Sequence, residues 1–250
     1  MFEKQEKYKI VNALIVPLIM LLIMWCVKGF EELFDIHLGR YGIEPLTLKG
    51  LRGILFSPFL HSDWKHLISN SVPFLVLGTT LYYFYHPIAN KVLLFSALMT
   101  GLWTWAGART GIHIGASGLV YSLAFFLMFS GFIRRDGRLM AISFIVIFLY
   151  GSLIWGVFPE FYAERNISWE GHLSGFLSGV ILAVFYRKVG TPPRKKYSWE
   201  DEEEEDVEKE ESENRAIDEE PSEKPYWDIP EPDKKDLTVV YRFRKSNRTD

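Results

Sequence analysis

The sequence predicts an all-α, polytopic membrane protein with six transmembrane helices. Six stretches contain no Asp, Glu, Lys or Arg: 10–27, 66–90, 92–108, 110–133, 139–159 and 171–186. Each is close to the ~20 apolar residues that a helix needs to cross a bilayer. The remaining chain is too short to shield six such segments from water. Lipid offers no partners to backbone N–H and C=O groups, which makes helix the spanning form. Whole-chain averages (250 residues, 48% apolar, 24% charged, net charge −3) conceal this pattern.

The first run, at 18 residues, exceeds the apolar core of a secretory signal. No small-x-small cleavage pattern follows it, and Trp25 before Cys26 spoils a lipoprotein signal. It is therefore expected to remain as an anchor. A single Cys excludes an internal disulfide framework and a Cys-based zinc site. Residues 28–65 are expected to form a long loop. Lys and Arg cluster before the first run (Lys4, Lys7, Lys9), between the fourth and fifth (Arg134, Arg135, Arg138) and after the sixth (Arg187, Lys188). Six crossings place these three clusters on one side, expected to be cytoplasmic.

The domain boundary is expected near residue 190. Residues 1–190 form the membrane domain, and residues 191–250 form a cytoplasmic tail. Residues 200–250 hold 20 Asp/Glu against 9 Lys/Arg, a composition expected to be disordered. Residues 237–243 alternate in a way that could pair as a strand, though a solvated tail is the simpler reading. A basic surface for nucleic acid is absent. The triplets at Asn166 and Asn247 fit a glycosylation pattern but are common by chance.

Polar groups are costly inside a bilayer, so those that occur point to function. The second run opens with His66 and Asn70, one turn apart, with His61 just before it. The fourth opens with Gly115-Ala116-Ser117-Gly118, and the sixth with Gly171-His172 followed by Gly175 and Gly179. All three runs start on the side opposite the termini, so topology brings His66, Asn70, Ser117 and His172 to one depth. Gly175 and Gly179 share a face with His172, and small residues let helices approach closely. Tyr121, four residues after Ser117, shares the face of that serine.

A Ser hydroxyl needs a base to become a nucleophile, and a neutral His is the usual one. Attack on an amide develops an oxyanion that needs donors in place. The Ser117 backbone N–H, the His66 imidazole and the Asn70 amide are candidates. Glu170 points away from His172, so the pair reads as a Ser–His dyad packed against Tyr121.

The set His61-x4-His66-x3-Asn70, Gly115-Ala-Ser117-Gly118 and His172-x2-Gly175-x3-Gly179 resembles the rhomboid family of intramembrane serine proteases, over roughly residues 10–190. The resemblance implies a six-helix rhomboid-like bundle with Ser117 as nucleophile, His172 as base, and His66, Asn70 and the Ser117 backbone as the oxyanion hole. It implies supporting roles for Tyr121, Gly115, Gly118, Gly175, Gly179 and His61, and the fifth helix as a gate. The implied substrates are transmembrane proteins, cut near the extracytoplasmic face with no cofactor or metal. The implied location is a bacterial inner membrane. Leu51-Arg52 departs from the Trp-Arg of many relatives.

Two other readings use the same residues. One is a catalytically inactive rhomboid-like protein that binds membrane helices. The other is a metal or haem protein using His61, His66, His113 and His172. The spacing argues against the second, because ligands sharing a helix face stand three or four residues apart.

Overall fold

A computed structural model describes residues 2–158 and 168–189. Their architecture is all helical. Six long helices follow in order: α1 (Phe2–Phe34), α2 (Trp64–Phe84), α3 (His86–Gly107), α4 (Ser117–Arg134), α5 (Gly137–Tyr150) and α6 (Trp169–Phe185). Four stretches are long and apolar enough to cross a membrane: α1, α2, α4, and α5 with its 3-10 extension through Val157. α3 has 22 residues, and α6 is a shorter apolar helix of 17. The expectations for the tail and for Asn166 lie outside the described residues.

The boundaries show what charge-free runs miss. α1 continues past the first run to Phe34, where a loop was expected. Lys28 reaches Glu32 Oε1 at 2.8 Å, four residues on, so charged residues extend the helix by pairing along its surface. The segment that follows consists of short helical turns at Leu38–Tyr41, Lys49–Arg52, Gly53–Phe56 and Ser57–Phe59. α5 ends at Tyr150, and the chain tightens into a 3-10 helix over Gly151–Val157.

α4 is the central element and packs on α2, α3, α5 and α6, with its largest seam against α6. That seam depends on missing side chains. A Cβ at Gly175 would run into the Gly118 carbonyl oxygen, and one at Gly179 into that of Ser122. Gly118 in turn faces Thr100 of α3 and the Gly171 backbone of α6. Deeper in the bundle, Ser122 Oγ lies 2.7 Å from Ser96 Oγ and 3.2 Å from Ser178 Oγ. All three residues are fully buried, so the hydroxyls satisfy one another and join α3, α4 and α6. At the opposite end, Arg134 donates to the carbonyls of Tyr186 and Val189, capping the chain end of α6. α1 lies outside this core along α2, where Pro17 packs on Gly78.

Candidate active site

Ser117 is the first residue of α4, reached through Gly115 at φ 111°, a conformation that favours glycine. A Cβ at Gly115 would also sit 2.6 Å from His66 Cε1 and 2.7 Å from its Nε2. The Gly115 N–H donates to the Ser57 carbonyl at 2.8 Å, tying this turn to the segment before α2. His172 lies in the first turn of α6, whose start is fixed by Ser168 accepting from the Gly171 N–H at 3.2 Å. The two elements bring His172 Nε2 to 3.0 Å from Ser117 Oγ.

The other imidazole nitrogen settles the tautomer. His172 Nδ1 is 3.0 Å from the Gly156 carbonyl oxygen, which can only accept. Nδ1 therefore carries the proton, and Nε2 is left as the base toward Ser117. The ring stacks on Tyr121, with centroids 4.2 Å apart and planes 4° from parallel. His172 and Tyr121 are both buried, and Ser117 is half-buried. Sequence reasoning named Tyr121 but missed Gly156. No side-chain pattern could have marked it, because every residue supplies a carbonyl.

His66 and Asn70 face the same turn from α2. The Asn70 Nδ2 is buried and has no partner among the described residues. It lies 3.7 Å from where a Gly115 Cβ would stand. A buried unpaired donor costs about 1–3 kcal/mol, so this one is stored capacity for an acceptor. The Ser117 N–H belongs to the first helical turn, whose N–H groups lack intrahelical acceptors. Asp63 caps α2 by accepting from the His66 N–H at 2.8 Å, which holds its carboxyl below the usual range. Ser62 Oγ lies 2.7 Å from Asp63 Oδ2 and 3.2 Å from His66 Nδ1. Ser62 spends its proton on the Asp63 carboxylate and so accepts from His66 Nδ1–H, which leaves a His66 Nε2–H only in the imidazolium.

His61 is buried beside this group, its ring edge-on to His66 at 5.0 Å. Burial pushes it down to about 4. The Ala116 N–H donates to its Nε2 at 3.4 Å, so it supports the turn before Ser117. A cavity of ≈ 40 Å³ borders Ser117, large enough for at least one water, and Ser57, Thr100, Thr104, His113 and Ser168 bring polar groups to a lining that is otherwise mostly apolar.

Other polar residues near the site are engaged with one another. His113 contacts the Arg109 carbonyl at 3.0 Å and Ser168 Oγ at 2.7 Å, bracing the start of α6. Glu170 is turned from His172 and pairs with Arg109 Nε at 3.3 Å. Arg52 lies over the Tyr41 ring at 4.5 Å and donates to the Arg40 carbonyl at 3.0 Å. The ring against Arg52 therefore comes from Tyr41. The four histidines weighed as metal ligands are engaged elsewhere: His61 with Ala116, His66 with Ser62, His113 with Ser168 and His172 with Ser117. Among the described residues no group of three His, Cys, Asp or Glu could hold a metal ion.

The family model described as Rhomboid domain matches residues 49–189. An uncharacterized protein of Mycobacterium tuberculosis is 36% identical over 182 residues, covering 69% of this chain and 73% of that one. An uncharacterized protein of Mycobacterium leprae is 34% identical over 186 residues, covering 69% and 70%.

Proposed function

The chain belongs to the rhomboid family of membrane proteins, and from that premise we propose that it is an intramembrane serine endopeptidase using Ser117 and His172. The observation that carries the proposal is the 3.0 Å contact between Ser117 Oγ and a His172 Nε2 left unprotonated by the Gly156 carbonyl. Nε2 takes the hydroxyl proton as Oγ attacks the scissile carbonyl. The imidazolium that forms is held by the Gly156 oxygen on one edge and the Tyr121 face beneath. Asn70 Nδ2, the Ser117 N–H and, where His66 carries it, Nε2–H receive the oxyanion. His172 then gives its proton to the leaving amine. Water from the cavity beside Ser117 repeats the sequence on the acyl-enzyme, with His172 again as base.

The site lies at the ends of α2, α4 and α6 opposite the charged clusters. In a bacterial inner membrane with cytoplasmic termini, that places cleavage near the extracytoplasmic face. The substrates are transmembrane segments of other proteins. A helical amide is shielded by its own hydrogen bonds, so cleavage falls where small or helix-breaking residues let the chain unwind. The test is labelling of the membrane-embedded protein with a fluorophosphonate and mapping of the adduct. Modification of Ser117, lost in His172→Ala, supports the reading. An unlabelled Ser117 in folded protein makes the chain an inactive binder of membrane helices.

A further inference from the structure

A second cavity, of ≈ 340 Å³, lies far from Ser117, between the start of α1 and the corner joining α2 to α3. Tyr8, Lys9, Asn12, Tyr82 and His86 line it. None of these brings a carboxylate to the lining, and four bring donors not spent elsewhere: the Lys9 ammonium, the Asn12 amide, the Tyr8 hydroxyl and an N–H of His86. Among the described residues, the side chains of Asn12 and His86 make no hydrogen bond, and Lys9 makes no ion pair. Lys9 Nζ instead lies over the Tyr83 ring at 4.3 Å. The acid nearest in sequence, Glu6, is taken up by the Tyr83 hydroxyl at 2.6 Å. Tyr82 gives its proton to Asn90 at 2.5 Å.

The level of the cavity selects the ligand. Lys9 immediately precedes the first charge-free run, and His86 lies at the α2–α3 corner, so the cavity is at headgroup depth. From Tyr8 and Asn12 the same face of α1 continues through Ile15, Ile19 and Leu22, all strongly exposed on the protein. That row is a track for an acyl chain whose headgroup sits at Lys9. A free anion would use the cavity but not the track.

We propose that this cavity binds the phosphodiester headgroup of an anionic phospholipid in the leaflet on the amino-terminal side. The assignment is independent of the protease reading. Lys9 supplies the charge, Asn12 and Tyr8 donate to phosphate oxygens, and His86 closes the far wall.

The test is native mass spectrometry of the full chain, titrated with phosphatidylglycerol, phosphatidylcholine or inorganic phosphate. Lys9→Gln/His86→Gln, Asn12→Leu and the control Lys188→Gln are compared with the unaltered chain, after thermal melting has shown each to be folded. The expected result is one retained phosphatidylglycerol, bound about tenfold more weakly in the double variant and in Asn12→Leu but unchanged in Lys188→Gln. Equal retention by all variants overturns the site. Equal retention of phosphatidylcholine overturns the anionic class. Displacement of phosphatidylglycerol by millimolar inorganic phosphate overturns the lipid assignment in favour of a soluble anion.

Discussion

α1 and α4 are both long apolar helices, yet they meet different solvents. The protein buries 67% of the apolar span of α4 and only 22% of that of α1. α1 shows lipid a row of Ile, Leu and Val, and Gly29 within it touches nothing that a Cβ would meet. α4 presents Ser117, Gly118, Tyr121 and Ser122 to its neighbours, each held against a named group. The difference teaches that apolarity places a helix in the membrane without saying what it faces. Small and polar residues mark the seam, because lipid cannot satisfy a hydroxyl and an opposing helix can.

The largest expected effect lies on the α4 side. Ser117→Ala or His172→Ala in purified protein should abolish cleavage of a membrane-anchored reporter, a loss on the order of 10³ or more. Unchanged turnover in either variant breaks the proposal. Next comes Asn70→Ala, expected to lower turnover on the order of 10–1000-fold because oxyanion donors are partly redundant. Its melting temperature should hold or rise, since an unpaired buried amide is removed. A fall in stability with full activity would make Asn70 a packing residue.

Glycine substitutions test the comparison most directly. Gly175→Ala must push α6 away from the Gly118 carbonyl and should cost about 2–3 kcal/mol in a reversible unfolding assay. Gly29→Ala, on the open face of α1, should be neutral or stabilising by up to about 1 kcal/mol. Equal effects would mean the seam is not close-packed.

The pH dependence sharpens the same contrast, because His61 braces the turn before Ser117. Its folded pKa of about 4 lies below the ordinary 6.5, so the unfolded chain binds the proton more readily. Its contribution is complete above pH 6.5 and is lost as pH falls toward 4, amounting to about 3 kcal/mol. Melting of wild type and His61→Gln between pH 7 and 4 measures this. The acid-induced loss should be smaller in the variant, and parallel curves would sink the assignment.

The helix positions were legible because the bilayer requires long uncharged runs. The candidate site was legible because Ser117, His172, His66 and Asn70 are polar where polarity is costly. The extension of α1 to Phe34 was not, since it depends on Lys28 and Glu32 pairing in a stretch whose charges suggest a loop. The Asp63 cap was within reach of sequence reasoning: an Asp before an apolar helix is a common start signal, and it orients the turn bearing His66.

Residue order alone carried the all-helical membrane class, the end of the bundle where the polar residues gather, and the family. That His172 presents a bare Nε2 to Ser117 follows from packing, because the choice is made by the Gly156 carbonyl on another segment. Packing also decided that Asn70 has a donor left over and that Tyr41 serves Arg52. Composition and period record what one segment needs from its solvent. A tautomer, a spare donor or a borrowed ring depends on which atoms of other segments arrive within 3–5 Å, and no single segment encodes that.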